Sequence, residues 1–147
     1  MRINTRDMGF VDVAPDQVVT FVQPILGFES FRAFALLPIA DAAPFHCLQS
    51  LDEARCAFPL VAAAELGVTY HPENDLVLRL RAASRAHLRF WVIVVPPTED
   101  APIRVNLRAP VVVNHVLHIA AQTIMREEYP ISHALDACRE RDVCLAK

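Results

Sequence analysis

Short apolar segments separated by turn-forming residues recur along this chain at intervals of about ten residues. The clearest pair is residues 45–50 and 55–61, which a short polar stretch joins. Two such runs predict a β-hairpin, the basic unit of an antiparallel sheet. Many short strands and few long helices are typical of a mainly β protein. The pattern therefore predicts a small antiparallel β-barrel-like or sandwich domain with one or two short helices.

The other apolar segments are also predicted to be strands. Residues 87–95 are the most hydrophobic and end at Pro96-Pro97, which neither a helix nor a central strand can pass. Pro110 is expected to end a strand in the same way, because proline cannot donate to a strand ladder. Residues 22–30 are expected to form a loop. The remaining predicted strands are residues 2–7, 10–13, 17–21, 31–39, 103–107, 111–115 and 120–125.

Two interior segments have helical character. Residues 62–66 favour one helical turn, and Gly67 is well placed to end it. Residues 74–86 place Leu76 and Leu80 at helical spacing, and Asn74 or Asp75 could cap the helix. The alternation of leucines from 76 to 80 equally fits a strand. Periodicity alone leaves both structures open for a segment this short.

Length predicts one domain, residues 1–147, since a chain of this size buries roughly 70% of its unfolded surface. Its last segment, residues 132–146, is rich in Ala, Leu, Glu and Arg and follows a cap-forming Ser132. We therefore predict a C-terminal helix there. The chain is 54% hydrophobic, and this apolar surplus indicates a face for a partner or for self-association.

Charge and hydropathy exclude several classes of function. The net charge of −3 argues against direct nucleic-acid binding, because such domains are usually basic. Arginines recur between residues 79 and 89, a pattern more typical of a solvated face than of a binding strip. The apolar runs fall short of the ~20 residues that cross a bilayer, so no membrane association is expected. The amino terminus has no secretory signal, which predicts a cytoplasmic, reducing location.

Histidines and cysteines provide the nearest approach to a metal site or an enzyme. The four cysteines match neither a redox pair nor a zinc signature, and we expect free thiols. Adjacent strand residues face opposite ways, which argues against a catalytic pair of His46 and Cys47. The same rule separates His115 from His118 if both lie on a strand. We predict no catalytic residue, metal or cofactor; the alternative is a small all-β metal-binding or enzymatic domain using His115, His118, His133, Cys47, Cys56, Cys138 and Cys144.

Other side chains are candidates for contact with a partner protein. Asn106 and Asn114 place amides at the ends of apolar strands, where they either satisfy backbone groups at a bend or shape a recognition edge. Phe28, in a loop, is either an exposed contact or a ring folded back into the core. Strand alternation puts Leu48 and Gln49 on opposite faces, one toward the core and one toward a partner.

The order of several short motifs resembles the flagellar assembly factor family, FliW, over about residues 3–135. Each motif is weak alone, and their order and spacing carry the resemblance. They are Gly27-Phe28-Glu29, Phe34-Ala35-Leu36-Leu37-Pro38, Pro44-Phe45 through Leu48-Gln49-Ser50, Ala57-Phe58-Pro59, Val92-Ile93-Val94-Val95-Pro96, Asn106-Leu107-Arg108-Ala109-Pro110-Val111-Val112-Val113-Asn114 and Tyr129-Pro130-Ile131-Ser132-His133.

This resemblance implies a compact β-barrel-like fold with a helical middle region, which favours helix for residues 76–86. It also implies a cytoplasmic, non-enzymatic, chaperone-like protein that binds flagellin and the translational repressor CsrA. Flagellin would occupy the protein as it accumulates, and its export would free the protein to capture the repressor. The residues we predict to contact a partner are Phe28, Glu29, Gln49, Asn106, Asn114 and His133.

Overall fold

The computed structural model describes residues 1–126 and 128–135. Within these ranges the chain forms ten strands, one α-helix and three 3₁₀ turns. The strands are β1 (Arg2–Asn4), β2 (Phe10–Asp12), β3 (Val18–Gln23), β4 (Ala33–Pro38), β5 (His46–Ser50), β6 (Ala57–Ala62), β7 (Leu88–Val95), β8 (Arg104–Asn114), β9 (Ile119–Gln122) and β10 (His133–Ala134). The helix α1 is Asn74–Arg79, and the 3₁₀ turns are Pro15–Gln17, Ala63–Leu66 and Arg85–His87.

Seven strands, β3 to β9, close into a barrel. Each of β3 to β8 pairs antiparallel with the next, and β9 joins β8 to β3. The β3–β9 pairing is parallel, which is the exception among the strand pairs of the described residues. The mainly β, barrel-like prediction is therefore confirmed, and the structure decides for a barrel over a sandwich. Closure leaves these seven strands without free edges along most of their length.

Strand β8 runs through Pro110, so the prediction of two strands separated at that residue was wrong. The ladder with β7 pairs Trp91 with Val111 and Ile93 with Asn106, leaving residues 107–110 bulged opposite a single residue. A proline is tolerated at such a bulge because no ladder bond needs its missing N–H. The bulge gives one long strand two differently directed halves.

The strand predicted over residues 111–115 ends at Asn114, and His115 begins a turn. His118 N donates to Asn114 O at 2.8 Å, and His118 has a positive φ of 58°. The predicted strand 120–125 is shortened to β9, Ile119–Gln122. His115 and His118 therefore lie in a hairpin turn rather than on a strand.

The helical alternative for the middle region is confirmed, with a shorter span than residues 74–86. Glu73 occupies the N-cap position, and α1 ends at Arg79 with Leu80 as its C-cap. Arg81 has a positive φ of 49°, a conformation that an α-helix cannot continue. The predicted turn at residues 62–66 also forms, and Gly67 ends it in the left-handed conformation at φ 71°.

The segment predicted to be a helix over residues 132–146 begins with a short strand instead. His133 and Ala134 form β10, which pairs with Val105 and Arg104 of β8. Residues 136–147 lie outside the described residues. None of the helices in the described part of the chain is long and apolar enough to cross a membrane.

The barrel interior holds the main core, and three smaller clusters cover its outside. The interior is built around Phe21, Phe34, Leu48, Leu60 and Trp91. Outside, the β1–β2 hairpin covers β4, and α1 covers the outer face around β7, β8 and β9. Residues 63–70, together with Met125, Tyr129 and Leu135, cover the outer face of β6, β7 and the first half of β8. Alternating residues of these strands are therefore buried on both faces, which explains the 54% hydrophobic composition.

The two ends of the barrel differ. At the capped end, where β4 and β6 begin and β5 and β7 finish, residues 24–32 close over the core with Ile25 and Phe31 packed against it. At the open end, where β4 and β6 finish and β5 and β7 begin, residues 62–72 and 85–91 border a cleft of about 850 Å³. The barrel therefore presents two different surfaces to solvent, one at each end.

Candidate functional site

The capped end carries the Gly27-Phe28-Glu29 motif on a loop that is firmly held. Phe28 N donates to Ile25 O at 2.8 Å, and Phe31 N donates to Phe28 O at 3.1 Å. Gln122 Oε1 on β9 accepts from Leu26 N at 2.8 Å. These bonds fix the loop to the barrel and leave Leu26 76% exposed. An apolar side chain is thus presented to solvent on a rigid support.

Phe28 lies half inside and half outside the barrel. Its ring meets Phe58 edge to face, with centroids 4.9 Å apart. The ring centroids of Phe58 and Phe34 lie 6.4 Å apart, and those of Phe34 and Phe21 lie 5.2 Å apart. Phe28 remains 37% exposed at the end of this aromatic row. The two alternatives for Phe28, an exposed contact and a ring folded back into the core, each hold in part: one edge of the ring packs against the core and the rest faces solvent.

Glu29 contributes to the shape of the same loop. Its Oε2 accepts a hydrogen bond from the N–H of Gly27, which has a positive φ of 90°. Glycine adopts such a backbone conformation without the steric cost that other residues pay. The exposed Glu29 therefore stabilises the turn that displays Leu26 and Phe28, and it places a negative charge beside them.

Beside Phe28 a groove of about 300 Å³ opens between β6 and β7. The two strands pair from Ala62–Trp91 to Leu60–Ile93, and beyond that point the groove separates the start of β6 from the end of β7. Its apolar lining includes Phe58 and Val95. The groove arises where two strands diverge, and no local sequence pattern encodes that divergence, so it could not be predicted from the sequence.

The two arginines of the groove are already partnered. Arg6 Nε lies 2.8 Å from Asp7 Oδ2, and its Nη1 donates to Ala57 O at 2.8 Å. Arg55 Nη2 lies 3.7 Å from Glu53 Oε1. Exposed pairs of this kind neutralise charge and contribute little stability. The capped end is consequently an apolar surface with little free positive charge.

Gln49, predicted to face a partner, is 0% exposed and holds the capped end together from inside. Its Oε1 accepts from Arg6 N at 2.9 Å. Its Nε2 donates to the carbonyls of Ser50, Ala54 and Cys56 at 3.1, 3.0 and 3.3 Å. In this structure the side chain has no surface to offer a partner. It joins the amino-terminal segment to the β5–β6 turn.

Asn114 is likewise 0% exposed and shapes the hairpin turn between β8 and β9. Its Nδ2 donates to Leu80 O at 2.8 Å, and its Oδ1 accepts from Val116 N and Leu117 N at 3.0 and 3.1 Å. The structure thus places Asn114 at a bend, as the first of the two alternatives had it, and not on a recognition edge.

Asn106 and His133 lie at the level of the groove, on the next two strands. Asn106 pairs with Ile93, which lines the groove, and its Oδ1 accepts from Arg108 N and Ala109 N at the start of the bulge. His133 pairs with Val105 one strand further. Among the described residues its buried Nε2 has no hydrogen-bond partner. The loop residues Phe28 and Glu29 thus lie at the same end of the barrel as this pair.

The described histidines of the metal-binding or enzymatic alternative lie on different elements, His115 and His118 in the turn after β8 and His133 on β10. His115 and His87 rings lie 6.2 Å apart, and His115 Nε2 is 3.3 Å from Ala86 O. Within residues 1–126 and 128–135, no group of three or more His, Cys, Asp or Glu could hold a metal ion. Cys138 and Cys144 lie outside the described residues.

The two described cysteines, Cys47 and Cys56, are buried free thiols. Burial raises the pKa of both, and the nearby Arg6 offsets this only in part. A raised pKa disfavours the thiolate, which is the reactive form. His46, adjacent to Cys47 in sequence, instead packs its ring edge-on against Trp91 at 4.7 Å. The geometry therefore offers no activated nucleophile at this pair.

Comparison with known proteins places these surfaces in a family context. A family model described as FliW protein matches residues 2–135. A flagellar assembly factor FliW of Thermoanaerobacter pseudethanolicus is 31% identical over 139 residues, covering 92% of this chain and 93% of its own length. Another, from Desulfitobacterium hafniense, is 34% identical over 142 residues, covering 92% and 91%.

The same similarity extends to a solved structure. A crystal structure of the flagellar assembly factor FliW superimposes with a TM-score of 0.82 at 24% sequence identity, covering 92% of this chain and 96% of that one. At this level of identity the likeness concerns the fold. The closed barrel described above is thus shared with a protein solved by crystallography.

Proposed function

The chain belongs to the FliW family of flagellar assembly factors, and from that premise we propose that it is a non-enzymatic, cytoplasmic protein that binds flagellin and the repressor CsrA through the capped end of its barrel. Its role in flagellar assembly follows from the family. The partners and the contact surface are the proposal. One observation carries it: the rigid loop that exposes Leu26 and Phe28.

A preorganised apolar loop suits protein recognition. Interface energy concentrates in a few buried side chains, with aromatic residues prominent among them. Phe28 is anchored on Phe58, so little side-chain entropy is lost when a partner covers its exposed part. The 300 Å³ groove beside it could take one apolar side chain of the partner. Together these features supply an anchor and a pocket.

The flanking polar residues would set orientation. Glu29 places a carboxylate beside the apolar tip, and the chain as a whole carries a net charge of −3. Both features suit a basic RNA-binding partner such as the repressor. Asn106 and His133 lie one and two strands beyond the groove and would extend the contact. Direct nucleic-acid binding by this chain is not part of the proposal.

Shared use of one surface would produce a switch. If flagellin and the repressor both cover the capped end, binding of one excludes the other. Accumulated flagellin would then keep the repressor free, and export of flagellin would release the chain to capture it. The proposed regulation needs no catalysis and no cofactor.

Calorimetric titration with purified flagellin and with purified CsrA tests the proposal. We expect micromolar or tighter binding of both to the wild-type chain. Phe28→Ala should weaken binding about 10- to 100-fold, the effect of losing a residue that contributes about 1–3 kcal/mol. The matched control is Phe10→Ala, which removes an exposed phenylalanine on β2 that neither belongs to the Phe28 loop nor lines the groove.

Three outcomes would overturn parts of this account. Absence of binding to either protein at micromolar concentration removes the proposed partners. Equal loss in Phe28→Ala and Phe10→Ala removes the Phe28 loop as the specific contact. Self-association that Leu26→Ser abolishes, without binding to either protein, would assign the loop to a homodimer instead.

A further inference from the structure

The open-end cleft has a chemistry that the proposed function does not use. Its volume of about 850 Å³ lies within the usual range for ligand sites, about 300–1,000 Å³. The lining includes four rings: Tyr70 stacks on Phe90 with centroids 5.0 Å apart, and His46 meets Trp91 edge-on at 4.7 Å. Tyr70 Oη donates to Leu107 O at 2.5 Å, which fixes that ring. The floor of the cleft is therefore aromatic and rigid.

Free positive charge lies at the rim. Arg85 and Arg89 both line the cleft and are exposed, against one lining carboxylate, Glu65. In the described part of the chain neither arginine forms an ion pair, and Arg85 donates to the neutral amide of Asn74 at 2.6 Å. This contrasts with the capped end, where both arginines of the groove are partnered by carboxylates. In a chain of net charge −3, a locally basic cleft selects for an anionic ligand.

We propose that this cleft is a second binding site, and that its occupant is an acidic linear peptide with an aromatic or aliphatic anchor residue. Guanidinium groups bind carboxylates through two parallel hydrogen bonds, and an arginine stays charged at any physiological pH. The aromatic floor would take the anchor, while Arg85 and Arg89 bind carboxylates on either side of it. Exposed residues border the cleft, among them Pro38, Thr69 and His71, so a continuous chain can enter and leave it. A small anion would leave the apolar floor uncovered.

The site is independent of the capped end. A basic rim repels a basic partner, so the repressor is not its occupant. The two ends also lie at opposite ends of the strands. Loss of one binding activity would therefore leave the other intact, and the inference stands or falls without the proposed function.

Selection from a phage-displayed library of random 12-residue peptides on the immobilised wild-type chain tests the proposal. We expect enrichment of peptides with Asp or Glu around one aromatic or aliphatic residue. Synthetic versions should bind Arg85→Glu/Arg89→Glu at least 10-fold more weakly. The matched control, Arg81→Glu, reverses an exposed charge that does not line the cleft and should bind within 2-fold of wild type. Neutral Arg85→Gln/Arg89→Gln should fall between them, which separates charge from misfolding.

Trp91 provides a direct readout because it is the single tryptophan of the chain and lines the cleft. The selected peptide should change its fluorescence with the same affinity, and binding should weaken as salt is raised. Enrichment of basic peptides, absence of enrichment, or equal binding to the reversed double variant would each overturn the proposal. So would equal competition by millimolar inorganic phosphate, which would mark a small-anion site only.

Discussion

The two ends of the barrel are built from the same strands and meet solvent in opposite ways. At the capped end an aromatic row from Phe21 to Phe28 fills the opening, and its last ring protrudes. At the open end Trp91 is buried and His46 half-buried, and both line a cleft with a basic rim. A closed barrel thus provides two separate surfaces without altering its core: one offers an apolar projection and the other an apolar recess. The difference comes from the side chains that the strands carry at each end and from the connecting segments beside them.

Each end also depends on one buried amide. Gln49 accepts from one backbone N–H and donates to three carbonyls at the capped end. Asn114 bonds one carbonyl and two N–H groups at the open end. Buried backbone groups that lose their partners cost free energy, so each amide fixes the loop next to it. Perturbing each end in turn therefore distinguishes their contributions to stability and binding.

Loss of Phe34, the central ring of the aromatic row, should have the largest effect on the free energy of unfolding. Phe34→Ala removes a fully buried side chain in contact with both Phe21 and Phe58. We expect the free energy of unfolding to fall by about 3–5 kcal/mol, from lost burial and the remaining cavity. Urea denaturation measures this change. Phe10→Ala, on the exposed face of β2, should stay within about 0.5 kcal/mol of wild type; a similar loss in both variants would refute the aromatic row as the support of the capped end.

Replacement of the buried amides should have the next largest effect. Gln49→Ala removes the acceptor of Arg6 N and the side-chain donor to three carbonyls, of which Cys56 O keeps its bond from Ser50 N. We expect a loss of about 2–3 kcal/mol in the free energy of unfolding. Asn114→Ala should cost less, about 1–2 kcal/mol, because Val116 and Leu117 are exposed and their N–H groups can bond water. Thermal and urea unfolding give both values. The reverse order would contradict the assignment of Gln49 as the stronger anchor.

Alkaline pH should destabilise the fold through groups at both ends. Burial raises the pKa of Tyr70, and the neighbouring Tyr129 raises it further. Burial also raises the pKa of Cys47 and Cys56. These acids deprotonate first in the unfolded chain, so the stability they contribute is complete below their ordinary pKa values and is lost as pH rises above them. Loss of stability through the two thiols should begin at about pH 8.5, and loss through Tyr70 at about pH 10.

The Tyr70 contribution can be isolated by substitution. Above about pH 10 we expect deprotonation of Tyr70 in the unfolded chain to lower the free energy of unfolding by about 1.4 kcal/mol per pH unit. Tyr70→Phe removes the titrating group and should flatten the curve there, although it also loses the bond to Leu107 O. Unfolding in urea from pH 7 to 11 measures the slope. An unchanged slope in Tyr70→Phe would show that another group carries the alkaline effect.

The smallest effect is expected at the surface ion pair of the capped end. Arg55→Ala removes the 3.7 Å contact with Glu53, and Arg55 is highly exposed. Stability should change by less than about 0.5 kcal/mol. Flagellin affinity should stay within about 2-fold of wild type if the contact is apolar as proposed. A large, salt-dependent loss of binding would instead indicate an electrostatic contact at this end.

The sequence predicted the strands and the barrel class because alternation and turn residues are local signals. It also predicted the turn at Gly67, where a left-handed conformation favours glycine. It failed at Pro110, because a bulge depends on what the neighbouring strand pairs with. It equally could not foresee the parallel β3–β9 pairing that closes the barrel, since residues 21 and 120 meet only in the folded chain.

The candidate site was less accessible to sequence reasoning. Phe28 and Glu29 were identified, and the structure displays both at the capped end. Gln49 and Asn114 were expected at a surface, but polar residues in strands are also used to satisfy buried backbone groups, and only the hydrogen-bond partners distinguish the two uses. Arg85 and Arg89 were read as a solvated face, because the aromatic floor beneath them comes from distant segments.

Hydrogen–deuterium exchange of the chain, alone and saturated with flagellin, tests the central proposal that the capped end binds flagellin. We predict slower exchange at residues 25–31, 55–58 and 93–95 in the complex, with residues 69–71 and 85–91 at the open end unchanged. Protection confined to the open end, with the Phe28 loop exchanging as in the free chain, would contradict the account.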